Sequence, residues 1–129
     1  MQVFESREYW VGLIRMSLSR FFVFHVLYSG PLHGYEITRR VASLTGGCCA
    51  PTEGTIYPIL RELEDGGYVT VEIQATGARE RKVYTLTARG REAYHMAAAC
   101  WREAAGYVLQ VAGKGHDRSR KGGVGTCLS

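Results

Sequence analysis

The sequence predicts a mainly α-helical protein with a small β-hairpin wing: a winged helix–turn–helix domain followed by a C-terminal dimerisation helix. A short helical segment at 52–65 ends at two glycines, two strand-like segments follow it, and a long helical pattern begins after them. We expect residues 1–86 to form the winged domain with its N-terminal helix. Residues 87–112 would form the dimerisation helix and residues 113–129 a disordered basic tail.

The composition is that of an ordinary globular protein with one domain. The 129 residues are 46% hydrophobic and 22% charged, and charged residues precede any apolar run at the N-terminus, unlike in a secretion signal. The densest apolar run, Phe21–Tyr28, is far shorter than the ~18 residues that span a bilayer. These features predict a cytoplasmic protein that does not associate with membranes.

The first predicted helix covers most of residues 4–28, where apolar side chains recur at helical spacing. From Phe21 onward the segment is apolar on all sides, which is typical of a buried helix. A strand over Phe21–Tyr28 is the alternative, because periodicity does not decide a short apolar run. Ser29, Gly30 and Pro31 then break the helix.

Two further helices make a helix–turn–helix pattern. The first runs from His33 to Leu44 and stops at a Thr-Gly-Gly sequence, and the second occupies 52–65. Thr52 suits the N-cap, because its hydroxyl can accept a hydrogen bond from the unpaired first-turn N–H groups. Pro58 predicts a kink in that second helix.

Two half-buried strands are predicted after these helices, at Tyr68–Ile73 and Arg81–Leu86, with a glycine-bearing turn at 75–78. The basic residues beside the turn identify the hairpin as a wing. Four of the 16 basic and one of the 12 acidic residues lie in the tail, so residues 1–112 carry +1 of the total +4. Local clustering is therefore better evidence for a nucleic-acid partner than net charge is. The cluster consists of Arg79, Arg81, Lys82, Arg89 and Arg91, opposed only by Glu80.

A long helix is predicted from Ala88 to about Ala112, with Thr87 as its cap. Its apolar residues form two stripes, so the helix must bury two sides. One side can cover its own domain, and the other packs most simply on a second copy of the chain. The first stripe is Ala93, Met96, Ala97, Cys100, Ala104, Tyr107, Val108 and Val111, and the second is Tyr94, Trp101, Ala105 and Leu109.

Three motifs resemble the PadR family of bacterial transcriptional regulators. They are PLHGYEI at 31–37, TEGTIYPILRELEDGG at 52–67 and RKVYTLTARG at 81–90, in the family's order and spacing. The resemblance implies a winged helix–turn–helix domain, a C-terminal dimerisation helix and repression that an inducer relieves. The single short C-terminal helix resembles the smaller subgroup of the family. The adjacent Cys48 and Cys49 are not part of the family pattern.

The third helix would enter the major groove of operator DNA, with the second helix and the wing on the backbone or in the minor groove. A winged helix used only for protein interactions is the alternative, and Tyr35 and Tyr57 are equally suited to packing. The candidate DNA-binding residues are Tyr35, Arg39, Thr52, Thr55, Tyr57, Arg61, Arg79, Arg81 and Lys82.

Four cysteines are present, and three suggest a sensor. Cys48 and Cys49 precede the third helix and Cys100 lies on the apolar stripe, so three thiolates could bind arsenite, antimonite or mercuric ion as an inducer. A thiol-oxidation switch and cysteines without function are the alternatives. Zinc is a weaker candidate, because no histidine has the usual close ligand spacing. His33 fits capping or packing better than metal binding.

No spacing of nucleophile and base, phosphate loop or paired carboxylates points to catalysis. The sequence therefore predicts a regulator and not an enzyme. It indicates no cofactor other than the possible soft metal or metalloid ion.

Overall fold

The computed structural model of this chain describes residues 4–115. The chain divides within the last helix into two compact units, the first ending at Tyr94 and the second beginning at His95. The predicted winged helix–turn–helix with a long C-terminal helix is confirmed. Its elements are α1 (Arg7–Tyr28), β1 (Leu32–His33), α2 (Gly34–Thr45), α3 (Glu53–Asp65), β2 (Val69–Thr76), β3 (Arg79–Leu86) and α4 (Ala88–Gly115).

Helix α1 is continuous, so the strand alternative for Phe21–Tyr28 is wrong. The hydroxyl of Ser6 caps the helix by accepting a hydrogen bond from the Tyr9 amide, and the helix ends at Tyr28. By length and composition alone α1 could cross a bilayer, which the shorter apolar run did not suggest. Its second half instead supplies the core of the first unit with Val23, Phe24, Val26 and Leu27.

The sheet has three antiparallel strands in the order β1-β3-β2, so the predicted hairpin gains a strand that the sequence analysis missed. β1 has only two residues, Leu32 and His33, which pair with Tyr84 and Val83. β3 is thus the central strand and contacts α1 and α2 as well as β2. This position explains why neighbouring Val83 and Tyr84 are both buried, where a two-stranded wing would bury alternate residues.

The β2–β3 hairpin turns more tightly than predicted. Thr76 and Arg79 are partners, so Gly77 and Ala78 alone form the loop, and Gly77 takes a left-handed φ of 64° that favours glycine. The wing is therefore eight paired residues long on each side. Its basic side chains lie on regular strand and not on a loose loop.

Helix α3 begins and ends as predicted, but its cap differs in detail. The hydroxyl of Thr52 lies 3.3 Å from that of Thr55 and makes no hydrogen bond to a backbone N–H. The Thr52 carbonyl accepts hydrogen bonds from the amides of Thr55 and Ile56 instead. The helix continues through Pro58 to Asp65. Pro58 lies in its second turn, where it removes one ladder hydrogen bond without ending the helix.

The core of the first unit lies where α1, α2 and α3 meet the sheet. Burial of these aliphatic side chains supplies the main stabilising term, because apolar area contributes ~25 cal/mol per Å² removed from water. The most completely buried large side chains come from all three helices and are Val23, Leu27, Ile37, Val41, Ile56 and Leu60.

Helix α4 starts as predicted and continues further. The hydroxyl of Thr87 accepts from the Gly90 amide and donates to the Gly67 carbonyl, which joins the helix start to the end of α3. Gly113, Lys114 and Gly115 are helical, so the predicted tail begins at least three residues too early. The rest of that predicted tail, 116–129, lies outside the described residues.

Candidate nucleic-acid interface

A cleft of about 680 Å³ opens between the N-terminus of α2, the side of α3 and the wing. It is basic, because three cations line it against the single carboxylate of Glu80. The structure brings together here five of the nine predicted DNA-contacting residues. These five are Tyr35, Tyr57, Arg79, Arg81 and Lys82.

The ring of Tyr35 joins the wing to helix α2. The guanidinium of Arg81 lies over this ring at 5.7 Å from its centroid, and that of Arg39 lies over it at 5.5 Å. Such cation–π contacts hold two positive charges close together without neutralising them. Within residues 4–115, no carboxylate forms a salt bridge with Arg39, Arg81 or Lys82. Their charge is therefore available to an anionic partner.

Tyr57 projects from α3 over the first residue of α2. A Cβ atom built on Gly34 would lie 3.1 Å from the Tyr57 hydroxyl oxygen, so glycine leaves room for the ring there. Burial raises the pKa of the neighbouring Tyr84 hydroxyl, with Tyr57 and Glu64 adding to the effect and Arg61 opposing it. Tyr57 therefore packs against Gly34 and also exposes part of its ring to the cleft.

The N-terminus of α3 presents a polar, solvent-exposed end. Thr52, Thr55 and Arg61 are all exposed, whereas the apolar face of the helix is buried. The helix N-terminus carries unpaired backbone N–H groups and the positive end of the dipole, both suited to phosphate. Thr52, Thr55 and Arg61 are therefore free to meet DNA, in addition to Tyr57 at the cleft.

Helix α2 is fixed at the cleft by a capping box. The carboxylate of Glu36 accepts from the His33 amide at 3.0 Å and lies 3.0 Å from His33 Nδ1. These hydrogen bonds lower the pKa of Glu36, the backbone bond being the largest cause. His33 therefore serves as a cap, as the sequence suggested, and orients the helix that carries Tyr35 and Arg39.

We expect Glu36→Ala to destabilise the fold by about 1 kcal/mol at pH 7, because the cap amide loses its acceptor. The folded state lowers the pKa of Glu36, so the ionised carboxylate stabilises the fold fully at pH values above its ordinary pKa of ~4.3. This stabilisation is lost as the pH falls through the lowered pKa of the folded state. Urea unfolding at pH 7 and near pH 3 measures the difference. Glu53→Ala, at the first turn of α3, is the control. An equal loss at both pH values would contradict the assigned cap.

Two arginines of α1 contact α3 and the turn that precedes it, and the sequence analysis missed both contacts. Arg20 makes two hydrogen bonds to the Glu62 carboxylate of α3, at 2.7 and 3.2 Å, which lower the pKa of Glu62. Arg15 Nε donates to the Cys48 carbonyl at 3.2 Å. The Arg20–Glu62 pair is half-exposed and contributes little stability, below ~1 kcal/mol. Nothing in local periodicity could have paired residues 42 positions apart.

The three candidate metal-binding cysteines belong to different units of the chain. Cys48 and Cys49 adjoin, with their sulfurs 3.2 Å apart, while Cys100 is exposed on the second unit. Among the described residues, no three cysteine, histidine or carboxylate side chains converge to hold a metal ion. The first unit contributes a pair of sulfurs only.

The helix–turn–helix, the basic hairpin beside it and the exposed start of α3 define a winged-helix protein of the transcriptional-regulator class. The chain belongs to the PadR-like family of transcriptional regulators, whose family model matches residues 23–96. This membership confirms the resemblance seen in the motifs and the prediction of a regulator, not an enzyme.

The relatives agree with this assignment. The chain is 32% identical over 81 residues to the negative transcriptional regulator PadR of Bacillus subtilis, covering 62% of this chain and 44% of that protein. The crystal structure of that PadR in complex with operator DNA matches with a TM-score of 0.55 at 32% identity, over 59% of this chain and 44% of the other. A transcriptional regulator from Clostridium thermocellum shares the fold, with a TM-score of 0.69 at 20% identity over 76% of this chain and 96% of that one. The chain thus spans less than half the length of the Bacillus relative.

Proposed function

We propose that this protein is a cytoplasmic repressor that binds operator DNA as a homodimer and is released by an inducer. The observation that carries the proposal is the basic cleft beside the exposed start of α3. At this cleft, Arg39 of α2 and Arg81 of the wing both lie over the ring of Tyr35. A Bacillus relative is a negative transcriptional regulator and has been crystallised with operator DNA, which supports the same function here.

The proposed docking assigns a part of DNA to each element. Thr52, Thr55 and Tyr57 would meet base edges or phosphates at the major groove, with Arg61 on a phosphate. Tyr35 and Arg39 would hold the backbone at the start of α2. The wing, with Arg79, Arg81 and Lys82, would bind phosphates or enter the minor groove. These wing residues line the cleft with only Glu80 opposing them, and this favours DNA over a neutral protein partner.

The proposed dimer forms through α4. Residues 101–113 are exposed on every side of the single chain, including large apolar side chains. An apolar helix face of this length is stabilised in water by burial against another apolar surface. The same helix of a second copy provides a self-complementary surface. The exposed apolar side chains of α4 are Met96, Trp101, Tyr107, Val108, Leu109 and Val111.

The test of the proposed docking is Arg81→Ala. We expect weaker binding to any duplex DNA and a salt dependence whose slope falls by about 0.9 for the lost phosphate contact. Arg7→Ala removes the same charge from the exposed start of α1 and is the matched control. Fluorescence anisotropy at several salt concentrations measures both quantities. If Arg81→Ala matched the wild type or if Arg7→Ala had the same effect, the wing would not be a DNA contact.

A further inference from the structure

The turn between α2 and α3 contains a pair of thiols for which operator binding provides no role. The sulfurs of Cys48 and Cys49 lie 3.2 Å apart. Cys49 is 3% exposed within the core, whereas Cys48 is only partly buried. One thiol is thus held in position by packing, and its neighbour can be reached from solvent.

We propose that Cys48 and Cys49 form a dithiol site for trivalent arsenic that carries one organic substituent. Such a compound has one stable As–C bond and two exchangeable hydroxyl groups, so it takes two sulfurs. The turn of the first unit offers two sulfurs, which matches the two exchangeable groups. Inorganic arsenite, with three exchangeable groups, would be satisfied less well.

The separation of the two sulfurs fits trivalent arsenic. At a bond length of about 2.3 Å, as in zinc–thiolate bonds, sulfurs 3.2 Å apart subtend about 90° at the bound atom. Trivalent arsenic is pyramidal with bond angles near a right angle, because a lone pair occupies its fourth position. Tetrahedral zinc would need sulfurs about 3.8 Å apart, and a linear mercuric ion would need them further apart still.

A disulfide between the two residues is the less favourable product. Adjacent Cα atoms are about 3.8 Å apart, whereas disulfides usually join Cα atoms ~4.4–6.8 Å apart. Inserting an arsenic atom lengthens the bridge between the sulfurs and relieves this constraint. The geometry therefore favours chelation over direct oxidation of the pair.

The chemistry of the pair also suits arsenic better than a divalent cation. Cys49 is buried in the core, so a charged thiolate there would be desolvated. Divalent metals need deprotonated thiolates and would leave charge in this partly apolar turn. An arsenical R–As(OH)₂ instead condenses with two neutral thiols: two As–S bonds form, two As–O bonds break, and each thiol proton leaves with a hydroxyl as water. No oxidation state changes, and the product is neutral.

The site lies in the turn that leads into α3, the helix proposed to enter the major groove. The Cys48 carbonyl accepts from Arg15 of α1, and the Cys49 amide donates to the hydroxyl of Thr45 at the end of α2. Thr52, the cap of α3, follows three residues later. Chelation would fix both cysteine side chains and place an arsenic substituent in this turn. We expect it to redirect α3 and weaken operator binding, a consequence that depends on the proposed function.

The site is tested without DNA, by titrating the full chain with phenylarsine oxide and following free thiols and intact mass. We expect one adduct per chain with loss of two thiols, stable to excess monothiol and removed by dithiothreitol. Cys48→Ser should form no such adduct. Cys49→Ala, whose fold is checked by circular dichroism, should likewise form none. Cys100→Ser and Cys127→Ser should bind as the wild type does. An adduct retained in Cys48→Ser, lost in Cys100→Ser or displaced by monothiol would overturn the site.

The regulatory consequence is measured separately, as operator affinity before and after arsenical addition. We expect at least tenfold weaker binding for the wild type and Cys100→Ser, and no change for Cys48→Ser. An adduct that leaves affinity unchanged would overturn this consequence and not the dithiol site. Failure of the unmodified protein to bind any duplex sequence selectively would overturn the proposed function instead.

Discussion

Replacing Gly90 with alanine is expected to destabilise the first unit by about 3 kcal/mol, since overpacking against a rigid neighbour costs 1–3 kcal/mol and more where the neighbour is backbone. A Cβ at Gly90 would collide with the Tyr68 carbonyl and approach the Leu86 side chain to 2.7 Å. The Tyr68 carbonyl also accepts from the Thr87 amide, so it cannot move without breaking the start of α4. Thermal unfolding at one fixed protein concentration should show a midpoint lower by roughly 10 °C.

The same substitution elsewhere in α4 provides the control. A Cβ at Gly106 has nothing within 4 Å, so Gly106→Ala should stabilise the helix by about 0.5–1 kcal/mol through reduced backbone entropy. Opposite signs at the two glycines are the expected result. A neutral or stabilising Gly90→Ala would contradict the close packing of α4 on the Tyr68 backbone.

Replacing Val108 with aspartate is expected to convert the dimer to monomers and to weaken operator binding roughly 100-fold or more, because two linked half-site contacts become one. Val108 is 58% exposed in the single chain and lies near the middle of the apolar arc of α4. A charge buried without a partner in the proposed helix–helix interface would be strongly destabilising. Sedimentation velocity measures the assembly and anisotropy measures the affinity.

A matched change on the polar side of α4 distinguishes disruption of the interface from an effect of net charge. Arg102 lies about a third of a turn around the helix from Val108, and Arg102→Gln shifts the charge by the same single unit. We expect this variant to remain dimeric. If Val108→Asp stayed a dimer with wild-type affinity, then the exposed face of α4 would not form the interface.

Helices and strands with strong local signals could be predicted from the sequence. The glycine stop at Gly66 and Gly67, the cap at Thr87 and the alternation at Val69–Ile73 each depend on neighbouring residues alone. β1 escaped prediction because two residues have no period, and they become a strand only by pairing with β3. The direct contact of Arg20 with Glu62 likewise exists only after α1 and α3 have packed.

The candidate site likewise combines features that local sequence patterns predict with contacts that only the folded structure shows. Basic residues beside a hairpin and polar residues at a helix start are local patterns, and they indicated the wing and the start of α3. The contacts of Arg39 and Arg81 with the Tyr35 ring form only when the wing packs beside α2. The sequence therefore indicated the three residues but not their contacts. The three-cysteine site was inferred from positions along the chain. The structure keeps Cys48 with Cys49, and burial of Cys49 distinguishes the two thiols.

The most direct measurement of the proposed function is selection of binding sites by the full-length protein from a pool of randomised duplex DNA. A dimeric winged-helix repressor should enrich one sequence with inverted half-sites whose centres lie about one helical turn, ~34 Å, apart. The enriched duplex should compete for binding at least 1,000-fold better than the starting pool, the usual lower range for specific sites. A pool that remains random after selection, or an enriched sequence without two-fold symmetry, would contradict operator binding by a dimer.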